Sequence, residues 1–70
     1  MEWIPTPQSS NIVRFGYDEE GRVLKVEFKN GSVYDYFDVP DHVFNGMKSA
    51  SSFGQYLAQQ VKGRFRYARA

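Results

Sequence analysis

The sequence predicts an α+β domain: a three-stranded antiparallel meander followed by two helices (β-β-β-α-α) and an extended basic tail. Three observations predict it. Asn30-Gly31 separates two runs of alternating apolar residues, the pattern of a tight hairpin. Pro40-Asp41 then opens a stretch whose apolar side chains Val43, Phe44 and Met47 recur at helical spacing. Ser52 followed by Gln55 matches a capping box and marks a second helix start. Strands gathered ahead of helices, rather than alternating with them, place both helices on one face of an antiparallel sheet.

Each element can be justified in turn. Residues 1–8 hold two prolines and little periodicity, which predicts an irregular leader with Trp3 and Ile4 tucked against a single domain spanning 9–70. Asn11 to Tyr17 is β-branched and aromatic and reads as the first strand. Asp18-Glu19-Glu20-Gly21 reads as a turn closed by a positive φ at Gly21. Val23 to Phe28 forms the second strand, with Leu24, Val26 and Phe28 on one face.

The next hairpin has two candidate registers. A two-residue loop would set Asp35 opposite Val26, a carboxylate on the apolar face. A three-residue loop, Lys29-Asn30-Gly31 with Gly31 left-handed, sets Tyr34 opposite Val26, Tyr36 opposite Leu24 and Asp35 opposite Lys25. A slip of one residue reverses every side chain, so the loop that keeps one face apolar is favoured. Tyr34 and Tyr36 then belong mainly to the core, with their hydroxyls at the rim.

In the first helix, Asp41 complements the positive end of the helix dipole. Gly46 weakens the helix by about 1 kcal/mol relative to alanine, which suggests close packing on the sheet. Ala50 continues the apolar spacing until Ser51-Ser52 breaks it. Phe53, Tyr56, Leu57 and Val61 stripe the second helix, and Gly63 ends it. Arg64-Phe65-Arg66-Tyr67 alternates, predicting an extended tail that turns Phe65 and Tyr67 inward.

Seventy residues bound the chain to one domain. Without cysteine it has neither a disulfide framework nor a thiolate zinc site. The acidic, proline-broken start is unlike a signal peptide, and no apolar run approaches the roughly 20 residues that span a bilayer. A cytoplasmic protein with no membrane partner is expected. The charge is asymmetric: residues 1–45 carry four cations against eight acids, whereas residues 46–70 carry five cations and no acid. Such asymmetry points to an anionic partner.

Catalysis finds little support. His42 is the single histidine, and its arrangement with Ser51 and Asp38 has no spacing that demands a triad. Asp18, Glu19 and Glu20 read as a solvated turn. Neither a metal site nor a cofactor is expected. Ser51-Ser52-Phe53-Gly54 is more suggestive, because the free N–H groups of a helix start and a glycine that permits close approach could seat a phosphate. An ordinary serine cap explains the same residues. Lys62, Arg64, Arg66 and Arg69 interleave with Phe65 and Tyr67, a composition suited to single-stranded nucleic acid. The alternation turns the aromatics inward, so phosphate contacts without much base reading are expected.

The ordered set Ser9-Ser10-Asn11-Ile12, Gly16-Tyr17-Asp18, Leu24-x-Val26-x-Phe28-x-x-Gly31-x-x-Tyr34-x-Tyr36-x-x-Val39-Pro40 and Ala50-x-Ser52-x-Gly54-x-Tyr56 resembles the KTSC domain. This short bacterial domain is named for its occurrence at the C-terminus of some lysyl-tRNA synthetases and also stands alone. The resemblance covers about residues 8 to 67 and makes Tyr34 and Tyr36 the family motif. It implies a stand-alone domain of unassigned activity, with RNA binding as the usual suggestion. Ala58 departs from the pattern where a polar residue is common, and Arg66 where proline is common.

The reading that follows is a small non-catalytic binding module. It contacts RNA or another polyanion through Lys48, Ser52, Gly54, Lys62, Arg64, Arg66 and Arg69. The competing reading is a protein-interaction domain docking on a larger enzyme or assembly, motivated by the 17% aromatic content. That reading expects an exposed patch of Trp3, Phe37 or Phe53, with Phe37 on the sheet face away from Leu24.

Overall fold

The computed structural model describes residues Met1–Ala70. Its elements are β1 (Glu2–Pro5), β2 (Ile12–Asp18), β3 (Val23–Phe28), β4 (Val33–Tyr36), α1 (Asp41–Lys48), α2 (Phe53–Tyr56), a π-helical turn (Leu57–Val61) and β5 (Tyr67–Arg69). The α+β class holds, but the sheet has five antiparallel strands, in the order β1-β2-β3-β4-β5. Two expectations are thereby corrected. The leader is not irregular: Glu2 to Pro5 pair with Tyr17 to Arg14. The tail is not a free extended segment: Tyr67, Ala68 and Arg69 pair with Tyr36, Asp35 and Tyr34. Edge strands offer unpaired backbone groups, and a segment with extended bias gains hydrogen bonds by docking there.

The central hairpin takes the three-residue loop. Leu24 faces Tyr36, Lys25 faces Asp35 and Val26 faces Tyr34. Gly31 adopts φ +90°, a conformation costly for a side chain with Cβ. Asn30 Oδ1 accepts the Ser32 N–H at 2.9 Å and stiffens the loop. The β2–β3 turn departs from expectation, because the left-handed residue is Arg22 (φ 56°) and not Gly21. Asp18 Oδ1 instead accepts the Gly21 N–H at 3.3 Å. An extra residue in β2 between Ile12 and Arg14 bulges the strand. Thr6 bridges it, donating its N–H to Val13 O (3.0 Å) and its hydroxyl to Ile12 O (2.7 Å).

Both helices cover one sheet face. Val43, Phe44 and Met47 from α1, with Leu57 and Val61 from the π-helical turn, bury Ile12, Phe15, Tyr17, Leu24, Val26 and Phe28. Phe44 stacks on Tyr17 at 5.0 Å and meets Phe15 edge-on at 5.8 Å. Val39 fixes the approach of α1: its N–H donates to Arg22 O at 2.9 Å, and its carbonyl accepts the Tyr17 hydroxyl. α1 ends at Lys48, so Ala50 lies beyond it. Ser52 caps α2 as expected, accepting the Gln55 N–H at 3.3 Å. The opposite sheet face carries the ion pairs Arg14–Glu27 (2.6 Å) and Lys25–Asp35 (3.0 Å), with the Arg14 guanidinium 4.2 Å from the Trp3 ring.

Gly46 does mark close packing, but against Tyr56 rather than the sheet. A Cβ there would stand 2.4 Å from the Tyr56 hydroxyl, which donates to Val43 O at 2.9 Å. Gly46→Ala should therefore destabilise the fold by about 1–3 kcal/mol through overpacking, despite alanine's better helix propensity. Tyr56→Phe in that background should recover part of the loss, although alone it removes a hydrogen bond and costs about 1 kcal/mol. Urea unfolding of the two single variants and the double variant checks this; additive losses would refute the contact.

Candidate nucleic-acid interface

Hairpin parity places Tyr34 and Tyr36 on the helix-covered side, and β5 adds Tyr67 and Arg69 directly across from them. Exposure rises toward the β5 edge of the sheet. Tyr36 is buried, Tyr34 is half-buried and Tyr67 is 64% exposed. Tyr67 is thus not turned into the core. Its ring meets Tyr34 edge-on at 5.9 Å and Tyr36 at 5.8 Å, while Phe28 meets Tyr34 edge-on at 5.7 Å. Phe65 is half-buried and packs on the core as expected. Burial first, and then the neighbouring phenols Tyr34 and Tyr67, push the Tyr36 phenol above its ordinary pKa of 10.0.

Cations gather beside these rings. The π-helical turn closes with the Lys62 N–H donating to Leu57 O at 2.8 Å, and the Lys62 ammonium sits 5.5 Å from the Phe28 ring centre. Arg69 stands opposite Tyr34 on the same face. Lys29 begins the hairpin loop. None of these three is in an ion pair, whereas Arg14, Lys25 and Arg66 are. A cleft of about 330 Å³ lies between the loop and the π-helical turn, walled by Phe28, Tyr34, Lys29 and Lys62 and by the polar residues Ser10, Asn11 and Asn30.

A second cleft of about 430 Å³ runs along the start of α2 and contains Ser51, Ser52 and Gly54, with no charged side chain in its lining. Ser10 and Asn11 line both clefts, so the two adjoin. A Cβ on Gly54 would meet Asn11 Oδ1 at 3.1 Å, so glycine permits the close approach of Asn11 to the start of α2.

The structure therefore brings Ser52 and Gly54 to one cleft and Lys62 to the adjoining one, with Arg69 in register opposite Tyr34. It separates the others. Arg66 pairs with Asp38 at 3.3 Å and lies 5.6 Å from the Phe37 ring. Arg64 donates to Gln59 O at 3.1 Å. Lys48 sits 4.9 Å from the Phe44 ring on α1. Lys29, Asn11 and Asn30 were missed from sequence, the first because charge counting assigned it to an acidic half. His42 is exposed on the first turn of α1. The expected apolar patch is not built from Trp3, Phe37 and Phe53, each of which is half-buried; the exposed large apolar side chains are Met1, Val13 and Tyr67.

A model of the KTSC domain family matches residues 8–65. A lysine–tRNA ligase of Nostoc punctiforme is 39% identical over 61 residues, covering 87% of this chain and 11% of the ligase. A protein of Stutzerimonas stutzeri is 40% identical over 63 residues, covering 89% of each chain. The crystal structure of a KTSC domain protein from Yersinia pestis superposes with a TM-score of 0.90 at 31% identity, over 99% of this chain and 96% of that one. The chain thus spans about a ninth of the ligases it matches and nearly all of the smaller relatives. No helix is long and apolar enough to cross a membrane.

The Tyr36 environment gives a pH prediction. The folded state holds the phenol neutral, whereas the unfolded chain ionises it near 10. The stability that Tyr36 contributes is present below about pH 10 and is lost as pH rises through the folded value. Thermal melts at about pH 8 and pH 11 should show wild type losing more stability than Tyr36→Phe. Equal losses in the two proteins would contradict the assignment.

Proposed function

The chain belongs to the KTSC domain family, and we propose that it is a small, non-catalytic, cytoplasmic module that binds single-stranded RNA as a polyanion. The observation that carries this reading is the cleft: Lys29 and Lys62 line it with the half-buried Tyr34, Arg69 and the exposed Tyr67 lie on the neighbouring strand, and none of the three cations has a carboxylate partner. Cations spaced along a track beside aromatic faces suit a flexible strand, whose phosphates meet the cations and whose unpaired bases can reach the rings. A duplex keeps its bases stacked inside and offers a cleft of this size little beyond phosphate. The polar stretch past Asn11 to Ser52 and Gly54 extends the track with hydroxyl and amide groups suited to ribose. The resemblance to lysine–tRNA ligases is consistent with an RNA-facing role.

This reading redistributes the roles expected from sequence. Lys62 and Arg69 carry the binding, joined by Lys29. Arg64, Arg66 and Lys48 line neither cleft and supply at most long-range attraction, which salt screens. A fluorescently labelled single-stranded oligonucleotide tests the assignment. With about four phosphate contacts, log K should fall against log salt with a slope near −3. Lys62→Ala with Arg69→Ala should flatten that slope by about 1.4, and Arg66→Ala should leave it nearly unchanged. Absence of binding at low salt, or a larger effect from Arg66 than from the Lys62 and Arg69 pair, would overturn the reading.

A further inference from the structure

The cleft between the Lys29–Gly31 loop and Lys62 has the chemistry of a subsite for one nucleotide. Its volume of about 330 Å³ lies at the lower end of the range for small-molecule sites. Its wall is aromatic, from Phe28 and Tyr34. Two ammonium groups, Lys29 and Lys62, line it, and no carboxylate does. The polar groups are oriented. Asn30 turns its carbonyl oxygen to the Ser32 N–H, which leaves its NH₂ as a donor away from that bond. Asn11 likewise engages its carbonyl oxygen, with the Ser9 hydroxyl at 3.4 Å, leaving a second amide donor. Aromatic wall, paired cations and two amide donors are complementary to a flat heterocycle with acceptor atoms on its edge and a phosphate attached.

We propose that this cleft receives a single unpaired nucleotide, its base against Tyr34, its edge acceptors facing the Asn11 and Asn30 amides, and its phosphate between Lys29 and Lys62. The proposal rests on the single-strand reading and adds base recognition to it, where the sequence led to an expectation of phosphate contact alone. Glycine at position 31 and the Asn30–Ser32 bond hold the loop in the conformation that keeps the cleft open. The fixed loop lets a base enter without first ordering the chain.

Uridine 5′-monophosphate tests the subsite without any polymer. Titrated into the isotopically labelled chain, it should shift the amides of Asn11, Phe28 to Tyr34 and Lys62, saturating in the millimolar range. Ribose 5-phosphate at the same concentrations should shift Lys29 and Lys62 only weakly. Lys62→Gln, an exposed position, should weaken the nucleotide several-fold and leave uridine unaffected, since only the phosphate is lost. Tyr34→Leu, with folding checked by its thermal melt, should weaken both about tenfold. Equal shifts from ribose 5-phosphate and the nucleotide, or shifts scattered away from this cleft, overturn the subsite. An abasic phosphate chain separates the two claims. If it binds as tightly as oligouridylate with the same salt slope, the polyanion reading stands and the subsite falls. If the mononucleotide binds as described while no oligomer binds at low salt, the subsite stands and the polymer reading falls.

Discussion

A helical layer that leaves the β5 edge of its sheet exposed shapes this domain. α1 and α2 pack over β2 and β3, where Phe15 meets both Phe44 and Phe53. β5 is exposed along its length, and on β4 Tyr36 is buried while Tyr34 is half-buried. Here aromatic rings cover one another edge-on, from Phe28 through Tyr34 to Tyr67. Such pairs gain about 0.5–1.5 kcal/mol beyond area burial, so a partly wet aromatic row is a stable end to a core. The same exposure leaves rings reachable from solvent, and so the packing creates the candidate interface.

Holding that layer in place requires a strained connection. Arg22 and Asp38 both adopt left-handed backbone, at φ 56° and 58°. Each costs a non-glycine residue of order 1 kcal/mol. The two meet at Val39, which follows Asp38 directly and donates its N–H to Arg22 O. With its carbonyl held by the Tyr17 hydroxyl and its side chain fully buried, Val39 ties the β2–β3 turn to the start of α1. The strain is therefore offset at one residue by two hydrogen bonds and complete apolar burial.

What was legible in the sequence follows the range of the interactions. The central hairpin was readable because Asn30-Gly31, the parity of Leu24, Val26 and Phe28, and the Lys25–Asp35 pair all act across a few residues and agree. The terminal strands were not. β5 pairs with β4 across an intervening helical layer, and β1 reaches β2 through a proline-containing loop held by Thr6, so neither has a hairpin turn to announce it. The left-handed position at Arg22 was hidden by Gly21 beside it, since glycine is the residue that sequence reasoning expects there. At the candidate site, the concentration of cations after residue 46 was visible, but its division was not. Arg66 is drawn to Asp38 and Phe37, while Lys62 is carried to Phe28 by a π-helical turn that no simple periodicity signals.

That division decides between a basic surface and a site. A set of arginines on a flexible tail would attract any polyanion and release it as salt rises, with no preference for what the phosphates are attached to. Once β5 is pinned to β4, Arg69 loses that freedom and stands in fixed register beside Tyr34. Lys62 is fixed from the other side by the end of the π-helical turn, and Lys29 by a hairpin loop whose geometry depends on Gly31. Lys29 and Lys62 come from separate elements to line one cleft with Phe28 and Tyr34, Arg69 stands in register opposite Tyr34, and each is positioned by backbone hydrogen bonds rather than by a carboxylate. Positioning by backbone leaves the charge available to a ligand, whereas an ion pair would have consumed it. The tail's docking as a fifth strand is thus the step that gives the compositional bias of the chain a fixed geometry.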